Sequence, residues 1–251
     1  MILETNLLHF PYMKNIPGLI VSMVANGLIT EHTGEFGTTQ LYGAMHAYEI
    51  ELPLSFTHFG IVSEGEVVVT IDGRKRTFFG GDYFSCKGRV KVESAGICFI
   101  VSTNSYKGVN VFGGPVENLG RLKYIDGCSD SLLIPPVIKG NPCLNHLHFP
   151  KNITQTPHTN PSIRVGLVYK GNGECLLDNG EVVLLSKGSV FLLAEEVIHS
   201  FNTSSETMDI IVFHPDSDFG PEDNEHPMIN RTIVDGISAK NKEAIRTTTI
   251  N

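Results

Sequence analysis

Residues 152–171 read Asn152-Ile-Thr-Gln-Thr-Pro-His158-Thr-Asn160-Pro-Ser-Ile-Arg164-Val-Gly166-Leu-Val-Tyr-Lys-Gly171. A second segment follows as Gly188-Ser-Val-Phe-Leu-Leu-Ala194-Glu-Glu196-Val-Ile-His199-Ser-Phe-Asn202. Short runs of β-branched and aromatic residues between glycines are typical of strands rather than helices. The chain also contains 25 Gly and 13 Pro in 251 residues, which indicates many tight turns. The sequence therefore predicts an all-β protein.

The two segments resemble, in spacing, the two signature motifs of the cupins. The first motif runs Gly, five residues, His-x-His, three or four residues, Glu, six residues and Gly. The second runs Gly, five residues, Pro-x-Gly, two residues and His. His158 and His199 hold histidine positions of the pattern, while Asn160 replaces the second His and Arg164 replaces the Glu. The resemblance covers the fold more closely than the chemistry.

The pattern occurs twice along the chain. His58-Phe-Gly60-Ile-Val-Ser-Glu-Gly65 aligns with Arg164-Val-Gly166-Leu-Val-Tyr-Lys-Gly171, and each is followed by a hairpin and a Gly-led strand. Repetition of a strand–turn unit predicts a duplicated architecture. With the resemblance, this implies a bicupin, that is, two tandem jelly-roll (double-stranded β-helix) barrels. The expected domains are an N-terminal degenerate barrel over 1–112, a connecting segment over 113–142 and a C-terminal barrel over 143–251.

Composition excludes several functional classes. The formal charge is −8 with a pI near 5.7, which disfavours nucleic acid and anionic membranes as partners. No apolar run approaches the roughly 20 residues that span a bilayer, and the N-terminus lacks a basic-then-apolar signal pattern. The five cysteines form no CxxC pair, so neither a disulfide scaffold nor a zinc knuckle is indicated. We expect a cytoplasmic protein.

The resemblance implies a metal site in the C-terminal barrel. Family ligands come from the His-x-His pair, the Glu and the final His, so His158 and His199 carry over as ligands. Upstream, His146 and His148 lie two residues apart and face the same side of a strand. If that side faces inward, with Asn145, Leu147 and Phe149 outward, His148 in particular completes a three-histidine site. Such a set suits a divalent transition metal such as Fe, Mn, Ni or Zn.

Arg164 cannot coordinate a metal because it is always protonated. Inside a half-apolar pocket it predicts either an anchor for a ligand carboxylate or a structural pair with an internal acid such as Glu196. In the first barrel, His58 stands at the Glu position and leucines stand at the histidine positions, which predicts no metal site there. His214-Pro-Asp216 is interpreted as a turn.

Three functions remain open. The leading hypothesis is a metal-dependent, dioxygenase-like enzyme acting on a small acidic molecule, because dioxygenation is the commonest expectation for the family. The second is a non-catalytic bicupin that binds a small ligand. The third is a metal-free isomerase or epimerase with His158 or His199 as base and Tyr169 as acid if it points inward. A homodimer is expected because exposed edge strands need covering.

Overall fold

The computed structural model describes residues 13–222 and 226–245. Strands make up most of this part of the chain. They are β1 (Lys14–Ile16), β2 (Leu19–Met23), β3 (Gly27–Gly34), β4 (Gly37–Met45), β5 (Tyr48–Glu51), β6 (Thr57–Glu64), β7 (Glu66–Ile71), β8 (Arg74–Phe79), β9 (Tyr83–Lys87), β10 (Val90–Ser94), β11 (Ile97–Thr103), β12 (Val111–Gly113), β13 (Leu122–Lys123), β14 (Ser129–Ile134), β15 (Cys143–Phe149), β16 (Arg164–Leu177), β17 (Val182–Ser186), β18 (Ser189–Leu193), β19 (His199–Asn202), β20 (Met208–His214), β21 (Ile233–Val234) and β22 (Ile237–Ser238). One short helix, α1 (Pro227–Arg231), and 3-10 turns at Ile125–Gly127 and Ala239–Asn241 complete the described elements.

The N-terminal half is a sandwich of two antiparallel sheets. One sheet has the order β5-β10-β7-β8 and the other β12-β9-β6-β11-β4-β3. Their inner faces bury an apolar core that includes Val69, Phe84 and Ile100. The hairpin β7–β8 turns at Asp72 and Gly73, which have φ of 47° and 80°. Positive φ at both positions is what a two-residue turn between right-twisted strands requires, and Asp-Gly is a favoured pair for such a turn.

The C-terminal half repeats this arrangement. Its main sheet has the order β1-β2-β18-β16-β20-β15-β14-β13, and β17 and β19 also pair with β16. The 14-residue β16 makes this possible, because its first part pairs with β18 and β20 and its second part pairs with β17 and β19. The predicted all-β, jelly-roll fold class is confirmed, and the tandem (bicupin) arrangement stays a prediction.

The duplication is visible in matching glycine contacts. Gly60 lies against the ring of Phe84, and Gly166 lies against the ring of Phe191 at the corresponding place in the second half. A Cβ at either glycine would overlap the ring. Both halves therefore bring a strand backbone close to an aromatic ring on the neighbouring strand, and only glycine leaves room for it.

A third apolar cluster, here called the central core, lies between the halves. It combines residues of the six-stranded sheet, such as Phe59 and Phe99, with residues of the C-terminal sheet, such as Leu144 and Phe213. The rings of Phe59 and Phe213 lie 5.0 Å apart. Inner strands of the two facing sheets, such as β6 and β20, are thus buried on both sides, on one by their own barrel and on the other by the central core.

The first described strands depart from the expected domain division. Residues 14–23 were assigned to the N-terminal barrel, but β2 pairs antiparallel with β18 of the C-terminal sheet, from Leu19–Leu193 to Met23–Ser189. Leu19 and Val21 accordingly pack in the C-terminal core. The connecting segment also contributes, because β14 pairs with β15. The remaining domain boundaries stay predictions.

Candidate functional site

A cavity of about 90 Å³ lies inside the C-terminal half. Its walls come from β14, β15, β16, β18, β19 and β20, together with the segment that precedes β16. The lining residues are Tyr124, Asp130, Asn145, Leu147, Phe149, Gln155, His158, Asn160, Arg164, Phe191, His199, Phe201, Ile210, Val212 and His214. Mostly apolar walls with a few convergent polar groups are typical of a small-ligand site.

His158 and His199 meet in this cavity, as the motif predicted. Their backbones form an antiparallel bridge with N–O distances of 3.0 and 2.9 Å, and their rings lie 4.5 Å apart. Each Nδ1 lies 2.9 Å from a backbone carbonyl oxygen, that of Thr156 for His158 and that of Val197 for His199. A carbonyl only accepts, so each Nδ1 carries the hydrogen and each neutral ring keeps Nε2 as an acceptor.

The environment of His199 keeps it uncharged. The pKa of His199 is lowered to about 4, mainly by burial and also by the nearby His158 and Arg164. The hydrogen bond to the Val197 carbonyl opposes this shift. The amide Nδ2 of Asn160 lies 3.4 Å from His199 Nε2. His199 is therefore a neutral hydrogen-bonding group at pH 7.

Arg164 begins β16 and is half-buried, and this burial lowers the pKa of its guanidinium. Its Nη1 donates to the carbonyl oxygens of Ser162 and Ile163 at 3.0 and 3.1 Å and to Ser162 Oγ at 2.7 Å. Ser162 Oγ in turn donates to Asp216. Within residues 13–222 and 226–245, Nε and Nη2 of Arg164 have no hydrogen-bond partner and no carboxylate lies within ion-pair distance. The alternative pairing with Glu196 is not formed.

Asn145 on β15 and Asp130 on β14 form a second polar pair in the cavity lining. The Asn145 amide Nδ2 lies 3.2 and 3.0 Å from the two carboxylate oxygens of Asp130. Asn145 is 6% exposed, and its Oδ1 is buried without a hydrogen-bond partner in the described structure. Burial raises the pKa of Asp130, against the opposing hydrogen bond from Asn145. A buried acceptor without a donor is rare in folded proteins and usually has a functional or solvent partner.

The structure does not bring His146 and His148 into this cavity. Their strand β15 presents Asn145, Leu147 and Phe149 to the cavity, the reverse of the predicted alternation. The two histidines lie on the opposite face, toward the N-terminal half, and both bond Asp209. His146 Nε2 and His148 Nδ1 lie 2.7 and 2.9 Å from the same Asp209 Oδ1. The predicted four-histidine ligand set is therefore not assembled.

Tyr169 also points away from the cavity. It belongs to the central core with Val165 and Leu167, and its hydroxyl lies beside Gly81 of the N-terminal half. Arg164, five residues earlier, must face the other side of a regular strand. Burial also raises the pKa of the Tyr169 hydroxyl. The expectation that Tyr169 serves as an acid in this cavity is not met by the structure.

The cavity includes groups that the sequence analysis did not select. His214 was interpreted as part of a turn, but it alternates with Ile210 and Val212 along β20 and so faces inward. Burial and the positive charge of Arg164 lower the pKa of His214 well below its ordinary value. The period-two alternation of β20 was the available signal for His214. Asn145 and Asp130 carried no motif signal.

In the N-terminal half, the position that corresponds to Arg164 is packed in the core. His58, at the position equivalent to Arg164, is fully buried, with Nδ1 2.8 Å from Ser102 Oγ. Burial lowers the pKa of His58 to about 4. Its ring is packed as a neutral core group, in line with the structural role predicted for this half.

Comparison with known proteins places this geometry in context. A family model described as the AraC-like ligand binding domain matches residues 139–219, about a third of the chain. No curated protein matches the sequence. A cupin 2 conserved barrel domain protein from Leptotrichia buccalis superposes with a TM-score of 0.51, at 16% identity, over 84% of this chain and 91% of that protein. The chain has the cupin-barrel fold.

Two further similar structures are of salicylate 1,2-dioxygenase from Pseudaminobacter salicylatoxidans. A variant in complex with gentisate gives a TM-score of 0.55 at 13% identity, over 71% of this chain and 68% of that one. The enzyme without a named ligand gives 0.54 at 13% identity, over 71% and 70%. At these identities the likeness concerns the fold alone. Among the described residues, no helix is long and apolar enough to cross a membrane.

Proposed function

We propose that the C-terminal half binds a small carboxylate, with Arg164 as its anchor. The observation that carries this proposal is the guanidinium itself. Arg164 lines the cavity with a fixed charge, and its hydrogen bonds to protein all leave from Nη1. A planar pair of free donors, Nε and Nη2, matches the two oxygens of a carboxylate. The family model for a ligand-binding domain covers the same residues, which supports a binding role.

The residues present do not fit the predicted mononuclear metal centre. No three His, Cys, Asp or Glu side chains in the described part of the chain are placed to hold a metal ion. His158 and His199 supply two acceptor nitrogens, but Asn160 Nδ2 already lies against His199 Nε2. Arg164 adds a fixed positive charge to the same cavity, which repels a cation. The dioxygenase-like hypothesis therefore ranks second, supported by the fold and by the meeting of His158 and His199 in the cavity.

Acid–base catalysis without a metal is less well supported. An efficient general base at neutral pH has a pKa near 7, whereas that of His199 is about 4. Tyr169 points into the central core and does not supply the acid. Ligand binding requires neither a metal centre nor an acid–base pair, so the ligand-binding bicupin is the function that the geometry favours. A homodimer and a cytoplasmic location stay predictions.

Replacing Arg164 by Gln tests the proposal. We expect the wild-type protein to bind short carboxylates such as propanoate in calorimetric titrations, and Arg164→Gln to weaken this binding about 100-fold, because two charge-assisted hydrogen bonds are lost. Arg74→Gln, on the exposed hairpin, is the matched control and should leave the Kd unchanged. Equal affinities for the wild type and Arg164→Gln would rule out Arg164 as the anchor.

Metal content separates binding from the dioxygenase-like hypothesis. We expect elemental analysis of protein purified without an affinity tag to give well under one equivalent of Fe, Mn, Ni or Zn per chain. A full equivalent that disappears in the double variant His158→Ala, His199→Ala would overturn this expectation and favour the metal enzyme. The same measurement on Arg164→Gln shows whether the fixed cation is what excludes the metal.

A further inference from the structure

We infer that the ligand of this cavity is a hydroxy-carboxylate of about two to four carbons, whose hydroxyl donates a hydrogen bond to Asn145 Oδ1. The inference rests on the proposed function, because Arg164 is taken to hold the carboxylate. It adds a second recognition element on β15, which lies two strands from Arg164 in the same sheet. Three features of the cavity lead to it: an acceptor without a donor, a positive field and a small volume.

The unpaired acceptor is held in place by Asp130. Asn145 Nδ2 donates to both carboxylate oxygens, so the reverse orientation of the amide would set Oδ1 against a carboxylate. Oδ1 is therefore fixed away from Asp130, buried and without a partner in the described residues, on a side chain that lines the cavity. A buried acceptor without a hydrogen bond costs free energy. A ligand that donates a hydrogen bond to Oδ1 should therefore bind more tightly than one that does not.

The field in the cavity favours a hydroxyl over an ammonium as that donor. The charge of Arg164 contributes to the lowered pKa of both His199 and His214. The same repulsion acts on any cationic group of a ligand. A neutral hydroxyl donates one hydrogen to Oδ1 without this penalty.

The volume limits the carbon skeleton. A volume of about 90 Å³ is small beside the roughly 300–1,000 Å³ of pockets that hold drug-sized ligands. Leu147, Ile210 and Val212 line the cavity and provide an apolar wall for a short carbon chain. With a carboxylate at Arg164 and a hydroxyl at Asn145, little room remains beyond the atoms that join them. An acid with a long tail does not fit this space.

Paired titrations test the inference. Propanoate, 2-hydroxypropanoate, 3-hydroxypropanoate and 2-aminopropanoate are titrated into the full-length protein by calorimetry. We expect one of the two hydroxy acids to bind about 10-fold more tightly than propanoate, and the amino acid to bind more weakly than that hydroxy acid. In Asn145→Leu the preference for the hydroxy acid over propanoate should disappear. Asn15→Leu, at an exposed position of β1, is the control and should keep the preference.

The outcomes are separable. If no acid binds, or if Arg164→Gln leaves binding unchanged, the proposed function fails. If propanoate and both hydroxy acids bind equally and all depend on Arg164, the carboxylate site stands and the hydroxyl inference is overturned. Tighter binding of 2-aminopropanoate than of either hydroxy acid also overturns it. The wild-type comparison decides alone if Asn145→Leu fails to fold.

Discussion

Phe213→Ala is expected to lower the free energy of unfolding by about 3–5 kcal/mol, the range for removing a fully buried phenylalanine. Phe213 is 0% exposed and packs against Phe59 across the central core. The packing that this variant removes lies at the contact between the two halves. We therefore also expect urea unfolding to separate into two transitions. Far-ultraviolet circular dichroism as a function of urea measures both effects.

The control for this variant is Phe219→Ala, whose ring is 39% exposed. It should change the free energy of unfolding by less than about 1 kcal/mol. A single, cooperative transition for Phe213→Ala with little loss of stability would mean that the two halves do not depend on the central core for their mutual stability.

Asp209→Asn is expected to lower the free energy of unfolding by about 3 kcal/mol at pH 7. Its carboxylate accepts hydrogen bonds from both His146 and His148, and hydrogen bonds to a buried charge contribute about 1.5–3 kcal/mol each. An asparagine oxygen keeps only weaker, neutral versions of them. Asp178→Asn, at an exposed position, is the matched control and should be nearly neutral.

The difference between wild type and Asp209→Asn should shrink in acid. Burial raises the pKa of Asp209, but the hydrogen bonds from His146 and His148 outweigh burial and hold it below its ordinary value of 3.8. A carboxyl with a depressed folded pKa contributes its stability above pH 3.8, and loses it as the pH falls through the folded pKa. Urea unfolding of both proteins at pH 7 and pH 3 checks the sign. A gap that widens in acid would contradict the assignment.

Sequence patterns predicted the architecture and the two motif histidines, but not which face of β15 lines the cavity. Strand faces can be assigned when one side is apolar and the other polar. Both faces of β15 are buried, one by the cavity and the other by the central core, and each carries a mixture of polar and apolar groups. The alternation was visible in the sequence, but its direction was not.

For Tyr169 and His214, by contrast, strand alternation in the sequence does indicate which side the residue faces. Arg164 and Tyr169 are an odd number of residues apart on one strand, so they had to face opposite sides. His214 follows Ile210 and Val212 at the strand period. By contrast, the contact between Asn145 and Asp130 joins β15 to β14, a strand of the expected connecting segment. Nothing local in the sequence links these two residues.

The pairing of β2 with β18 has a consequence for biosynthesis. β2 is synthesised well before its partner β18, because the strands of the N-terminal sandwich lie between them in the chain. Until β18 is made, the β2 backbone groups that pair with it are unpaired, which is the condition under which strands associate with the wrong neighbour. Once formed, the pairing anchors the segment just before the N-terminal sandwich in the C-terminal sheet, so only the short link between β2 and β3 separates the two halves there.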